Sequence, residues 1–275
     1  MIAPVVDLGW VRAQPAGVVL ADVRWYLDGR SGQAAYDAGH LPGAVFIELD
    51  RVLAGPASPA AGRHPLPEPA VFAAGMAAAG IGDADTVIAY DDAGGTVAAR
   101  LVWMLRATGH AAALLDGGLQ TYGAEADDKD PADRPPAVFT ARPWPVDRLA
   151  DLASAGAGSA AAGVLIDARD AARFRGDVEP VDPRAGHIPG ARNVPCRGNV
   201  DEAGRFRPVA ELRERFAAAG VADGGGVISY CGSGVTACHN LIALEHAGMG
   251  LGRLYPGSWS QYSSDPTRPA ARGDR

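Results

Sequence analysis

The chain has 275 residues, 48% of them hydrophobic and 21% charged, with a formal net charge of −7. That size and composition fit one large globular domain or two ordinary ones with real cores, while the acidic balance argues against a nucleic-acid partner. No apolar run approaches the ~20 residues needed to cross a bilayer. Three cysteines, an odd number, cannot form a disulfide framework, and residues 1–20 lack a basic start followed by an apolar block. Together these features predict a reducing, cytoplasmic setting. Charge is unevenly spread: residues 1–140 hold 9 basic and 17 acidic side chains, residues 141–275 hold 16 and 15.

In chain order, the apolar runs at 18–21 and 45–47 read as buried strands, followed by a helix at 69–79, a strand at 87–90, a helix at 97–107 and a strand at 112–115. Residues 126–145, with Asp127, Asp128, Asp130, Pro131, Pro135, Pro136, Pro143 and Pro145, have the composition of a linker. The stretch 153–163, rich in Ala, Gly and Ser, reads as a surface loop or the extension of a helix starting near Val146. Strands at 164–166, 192–194, 227–230 and 253–255 then alternate with helices at 208–219 and 235–247. Continuous apolar strands alternating with helices predict an α/β fold, a mostly parallel sheet with helices on both faces.

The chain also matches itself at an offset of 140 residues. Val87-Ile88-Ala89-Tyr90-Asp91 lies over Val227-Ile228-Ser229-Tyr230-Cys231, and Gly94, Thr96, Gly117 and Tyr122 lie over Gly234, Thr236, Gly257 and Tyr262. Upstream, Gly39-His40-Leu41-Pro42-Gly43-Ala44 echoes Gly186-His187-Ile188-Pro189-Gly190-Ala191. A unit this long is a duplicated domain, solenoid repeats being shorter. The reading is therefore two homologous domains, 1–125 and 146–275, joined by 126–145.

The chemistry concentrates at Cys231-Gly232-Ser233-Gly234-Val235-Thr236. A strand that ends in cysteine, then a glycine-rich loop, then a helix can aim backbone N–H groups and a positive helix end at the sulfur and so favour the thiolate. Open α/β sheets place sites at the carboxyl ends of strands, where Cys231 falls. Cys238, two helical turns on, points elsewhere, and no His/Cys spacing indicates zinc.

These segments resemble the rhodanese family, specifically its tandem-domain sulfurtransferases. Asp22-Val23-Arg24-Trp25-Tyr26-Leu27, the paired Gly-His-x-Pro-Gly-Ala runs, Arg173-Phe174-Arg175-Gly176, the cysteine loop and Tyr255-Pro256-Gly257-Ser258-Trp259 carry the resemblance. The loop itself is similar to that of the 3-mercaptopyruvate-using members, since the thiosulfate-selective ones carry basic side chains where this chain has Gly232 and Ser233. The resemblance implies a ping-pong cycle without a cofactor, in which Cys231 takes a sulfane sulfur from 3-mercaptopyruvate as a persulfide and hands it to cyanide, a small thiol or thioredoxin. It also implies a silent first domain, because Asp91 stands where the cysteine would be. Asp91 by itself reads as a solvated loop residue or a helix N-cap.

By the same resemblance, Arg173 and Arg184 are the candidates for the donor's carboxylate, as guanidinium forks match its geometry. Gly232, Gly234, Val235 and Thr236 line the loop. Ser233 and His40 are candidates for a relay whose acidic member, Asp28 or Asp37, the sequence leaves open. His187 occupies the place of His40 in the second repeat; since both repeats have this histidine but only one has the cysteine, a structural role, hydrogen-bonding loop backbone, is the preferred reading of both. Three competing activities remain open: thiosulfate as donor, a non-catalytic sulfur-carrier module, and a cysteine phosphatase or arsenate reductase. The last needs an arginine about six residues after the cysteine, where this chain has Ala237.

Overall fold

The computed structural model describes residues 2–14, 17–122, 130, 132–156 and 163–274. It resolves into two compact units, Met1–Gly55 with Pro67–Trp144 and Val200–Phe206, and Pro56–Leu66 with Pro145–Asn199 and Arg207–Arg275.

The first unit carries five parallel strands, β1 (Val5–Val6), β2 (Val18–Asp22), β3 (Val45–Phe46), β4 (Thr86–Tyr90) and β5 (Ala112–Leu115), in the order β1-β5-β4-β2-β3. Its helices are α1 (Leu8–Arg12), α2 (Gly32–Ala38), α3 (Pro69–Ala78), α4 (Ala98–Ala107) and α5 (Gly118–Tyr122). All four predicted strands and both predicted helices are present. The edge strand β1, two residues long, and the short α1, α2 and α5 are additions too brief for a periodic signal. Every residue of β5 is buried, as a strand covered on both faces requires.

The second unit has four parallel strands, β6 (Val164–Asp167), β7 (Arg192–Asn193), β8 (Val227–Tyr230) and β9 (Arg253–Leu254), in the order β7-β6-β8-β9. Around them lie α6 (Leu152–Gly156), α7 (Ala171–Arg175), α8 (Val209–Ala218), α9 (Ala237–His246) and α10 (Ser258–Ser264). Trp259, Tyr230, Tyr255, Phe174 and Ile188 form its core.

The units differ from the chain-contiguous halves in two segments. Residues 56–66 group with the second unit and 200–206 with the first. The described part of the expected linker groups with the first unit as far as Trp144, and Pro145 with the second. Thr140 donates to Asp83 through its N–H (2.9 Å) and hydroxyl (2.6 Å), and Phe139 stacks on His110. Positions 126–129, 131 and 157–162 of the expected linker and surface loop lie outside the described residues.

The repeated Gly-His-x-Pro-Gly-Ala segments do the same structural work twice. Tyr90 accepts the Leu41 N–H on its hydroxyl at 3.1 Å, and Tyr230 accepts the Ile188 N–H at 3.2 Å. His40 stacks on Tyr36 and His187 on Phe174, each ring pairing through Nδ1 with a main-chain carbonyl of its stacking partner. Both histidines are fully buried.

Candidate active site

Cys231 stands at the carboxyl end of β8, an interior strand, and is 2% exposed. Its Sγ accepts the Gly234 N–H at 3.1 Å. Gly234 has φ +81°, and a Cβ there would stand 2.4 Å from the Pro256 carbonyl oxygen, so only glycine closes this turn. The first residues of α10 fix the cysteine's own peptide groups. Ser258 Oγ accepts the Cys231 N–H at 3.1 Å, and the Trp259 N–H donates to the Cys231 carbonyl at 2.9 Å. The Ser260 N–H binds the Gly232 carbonyl, also at 2.9 Å. Ser258 has φ 52°, the one positive φ outside glycine among the described residues, an unfavourable conformation for a side chain with a Cβ.

The first unit shows what such a loop does with an anion. Asp91, at the cysteine's place, is buried rather than solvated, and goes beyond an N-cap. Its Oδ1 accepts the N–H groups of Ala93 (2.8 Å) and Gly95 (2.7 Å), and its Oδ2 those of Val97 (2.7 Å) and Ala98 (2.9 Å). Burial pushes this carboxyl up and the four N–H bonds hold it down. Because every partner is a donor, the carboxylate is the form the loop accommodates. At the offset of 140, three of those donors correspond to the N–H groups of Ser233, Val235 and Ala237. Among the described residues these N–H groups have no protein acceptor.

Beside the sulfur, Ser233 Oγ lies 2.7 Å from Nδ1 of His64, both residues being buried. This is the histidine that reaches the loop serine. His40, the residue expected there, has both ring nitrogens on main-chain carbonyls, Tyr36 at 2.9 Å and Asp130 at 3.1 Å, within the first unit. His64 rides on the segment 56–66, which is tied to α10 by the Arg63 N–H on Ser260 Oγ (3.0 Å) and closed on itself by the Ser58–Gly62 bridge.

Two guanidinium groups flank Gly232. A Cβ on that residue would stand 2.8 Å from Arg63 Nη2 and 3.5 Å from Arg173 Nη1. Arg173, expected at the site, projects from α7. Arg63 was not foreseen. Asp182 joins the two, accepting from Arg63 Nε at 3.0 Å and Arg173 Nη2 at 3.0 Å, and Glu179 accepts from Arg173 Nη2 at 2.6 Å.

Arg184 is engaged differently. Its guanidinium donates to four main-chain carbonyls, those of Tyr262 (3.2 Å), Ser263 (2.9 Å), Asp265 (2.8 Å) and Arg268 (2.8 Å). Four of its five N–H groups are therefore taken by main-chain carbonyls of the C-terminal segment, where the sequence led to the expectation of a substrate carboxylate. Thr236 makes no side-chain cap on α9 despite standing at its start. Cys238 is buried and its thiol donates to the Gly234 carbonyl at 3.4 Å, supporting the loop from beneath. The Cys196 thiol is pushed up to about 12, chiefly by burial, which keeps it protonated and inert.

Comparison with known proteins agrees with this architecture. The rhodanese-like domain model matches residues 9–125 and again 148–265. The chain is 42% identical to a probable 3-mercaptopyruvate sulfurtransferase of Pseudomonas aeruginosa, covering 96% of this chain and 95% of that protein. It is equally 42% identical to the putative thiosulfate sulfurtransferase SseB of Mycobacterium tuberculosis, covering 93% and 91%. Among solved structures, 3-mercaptopyruvate sulfurtransferase from Leishmania major superposes with a TM-score of 0.83 at 31% identity, over 96% of this chain and 75% of that one. SseA from Escherichia coli gives 0.81 at 31%, over 94% and 99%. Two rhodanese-like domains over nearly the whole chain, with relatives of this kind at this identity, place the chain in the rhodanese family as a tandem-domain sulfurtransferase.

Proposed function

We propose that the chain moves a sulfane sulfur from 3-mercaptopyruvate to a thiophilic acceptor, with Cys231 as the nucleophile and its persulfide as the intermediate. The observation that carries this reading is the grouping around Gly232: a sulfur that accepts the Gly234 N–H, a serine–histidine pair at 2.7 Å, and two guanidinium groups. Arg63 and Arg173 take the donor's carboxylate and direct its sulfur at Cys231. The thiolate attacks that sulfur, the S–C bond breaks, and its electron pair passes to carbon as the pyruvate enolate. The donor's thiol proton reaches that carbon by way of Ser233 and His64, giving pyruvate and leaving the Cys231 persulfide anion. The N–H groups of Ser233, Gly234, Val235 and Ala237 hold the outer sulfur's charge in the way the first unit's loop holds the Asp91 carboxylate. Thr236 lines the same loop. Cyanide, a small thiol or a thioredoxin-type dithiol then removes the outer sulfur; with cyanide the products are thiocyanate and the starting thiolate.

Thiosulfate as donor is the second reading, favoured by the two cations at Gly232 and by the name of the mycobacterial relative. Three buried free cysteines support a reducing compartment such as the cytoplasm, and no helix among the described residues is long and apolar enough to cross a membrane. The test is intact-mass spectrometry after incubation with each donor. A gain of one sulfur atom, absent in Cys231→Ser, is expected with 3-mercaptopyruvate; no gain with either donor would refute the catalytic reading.

A further inference from the structure

We infer that Asp182, with Glu179, sets the charge of donor the site prefers, by cancelling the positive charge of the arginines that would hold it. This rests on the proposal that Arg63 and Arg173 receive the donor's anionic group. Three arginines and three carboxylates alternate in one chain of ion pairs: Arg63–Asp182 (3.0 Å), Asp182–Arg173 (3.0 Å), Arg173–Glu179 (2.6 Å), Glu179–Arg169 (3.2 Å) and Arg169–Asp167 (2.6 Å). The formal charge of this frame is zero. Its members are layered by exposure. The side chains of Arg63 and Arg173 are 27% and 15% exposed, whereas those of Asp182 and Glu179 are 1% and 4% exposed behind them.

A donor thus meets N–H groups in fork geometry, good for hydrogen-bonding a flat carboxylate, but little net positive potential. 3-Mercaptopyruvate brings one negative charge and thiosulfate two. A frame that binds by hydrogen-bond geometry with no surplus charge gives the dianion no compensation for its second charge. The sulfur chemistry itself does not discriminate, because attack of the Cys231 thiolate on the outer sulfur of thiosulfate breaks the S–S bond and releases sulfite with the bonding pair, leaving the same persulfide.

Removing one buried carboxylate leaves the frame at +1 and favours the dianion over the monoanion by one extra charge–charge interaction. At separations of a few ångström and screening between bulk water and a protein surface, that amounts to a factor on the order of ten. The experiment measures donor-side kcat/KM for thiosulfate and for 3-mercaptopyruvate in the full-length wild type, Asp182→Asn, Glu179→Gln and the charge-preserving Asp182→Glu. The thiosulfate-to-mercaptopyruvate ratio is expected to rise about tenfold in Asp182→Asn and in the same direction in Glu179→Gln, and to stay near wild type in Asp182→Glu. An unchanged or lower ratio in both neutralising variants overturns the proposal, as does a ratio that rises equally in Asp182→Glu. A wild-type measurement covers the case in which the variants do not fold. With a neutral frame, kcat/KM for thiosulfate falls with added salt no more steeply than that for mercaptopyruvate, and a markedly steeper fall for thiosulfate overturns the inference. Absence of a persulfide on wild-type Cys231 with either donor would instead sink the functional reading beneath it.

Discussion

Ser258 offers a quantitative test of how the nucleophile's backbone is held. At the offset of 140 its counterpart is Gly118, and both residues are in the left-handed region, Gly118 at φ 49° and Ser258 at φ 52°. A residue with a Cβ there carries about 1–2 kcal/mol of strain, which the second unit tolerates because Ser258 Oγ accepts the Cys231 N–H (3.1 Å) and donates to the Tyr255 carbonyl (2.9 Å). Ser258→Ala keeps the strain and orphans a buried N–H, at about 1–3 kcal/mol. Ser258→Gly orphans the same N–H but relieves the strain, offset in part by about 0.5–1 kcal/mol of extra backbone entropy. The expected order of stability is therefore wild type, then glycine, then alanine, with the last two roughly 1 kcal/mol apart. Denaturant unfolding, followed by the fluorescence of buried Trp259 with hydrogen exchange at the Cys231 amide as a local probe, reads that order. Both variants should also lose persulfide-forming rate, because the peptide that aims Sγ is no longer fixed. If alanine is as stable as glycine, the strain argument is wrong; if both retain full rate, the hydrogen bond does not position the sulfur.

The two histidines should separate cleanly. His64→Asn is expected to lower the rate of pyruvate release about 100-fold with little change in melting temperature, whereas His40→Asn, removing a stacked and doubly bonded ring, should lower stability and leave the rate per folded molecule intact. Asp91→Ala strips the acceptor from four buried N–H groups and should destabilise the first unit by about 3 kcal/mol or more. Differential scanning calorimetry would show this as an early-melting transition. Arg184→Met removes the guanidinium that gathers four carbonyls of α10 and the residues after it. Limited proteolysis is expected to cut beyond Ser264 faster than in wild type, and an unchanged digestion pattern would contradict that bracket.

The parts of the fold legible in the sequence are those where periodicity runs for at least three or four residues. Strands β2, β4, β5, β6 and β8 and helices α3, α4, α8 and α9 fall within a residue or two of where alternating apolar runs place them. The two-residue β1 and the five-residue α1, α5 and α6 are held by their surroundings and leave no pattern to read. The cysteine loop was legible because its frame recurs in the chain, Gly94 and Thr96 under Gly234 and Thr236 with Asp91 where the cysteine would be. His64 and Arg63 were not. The halves keep the 140-residue offset only from about residue 87 on, His40 and His187 being 147 apart. Near residue 62 the recurring run is Ala61-Gly62-Arg63 over Ala203-Gly204-Arg205, which sets His64 over Phe206, and the segment 56–66 is irregular and flanked by prolines. Comparison of the two halves highlights what is shared, whereas a side chain placed beside only one loop, as His64 is beside Ser233, is by nature unshared. The available signal was the recurrence of Ala-Gly-Arg at 61–63 and 203–205 with a histidine following only the first. Arg184 misled for a related reason, since a guanidinium suits a substrate carboxylate and a row of main-chain carbonyls equally well, and only the path of the C-terminal segment decides between them.

The two loops differ in how their N–H groups are satisfied. A loop whose N–H groups converge on one point is unstable when empty, because several buried donors lack acceptors. In the first unit a covalently attached carboxylate fills that point permanently, each oxygen taking two N–H groups. That stabilises the turn. In the second unit the Cys231 sulfur takes one N–H at 3.1 Å; on the proposed function the rest serve a charge that comes and goes. If the proposed persulfide forms, donors like those that stabilise the first loop all the time stabilise the second only while an outer sulfur is bound, so the second loop needs support from elsewhere. α10 supplies it, with three consecutive residues bound to Cys231 and Gly232. Weakening α10 should accordingly harm the sulfur-free protein more than the persulfide form, and the gap in melting temperature between them should widen in Ser258→Ala; a gap that stays constant would mean the loop's own donors carry no such load.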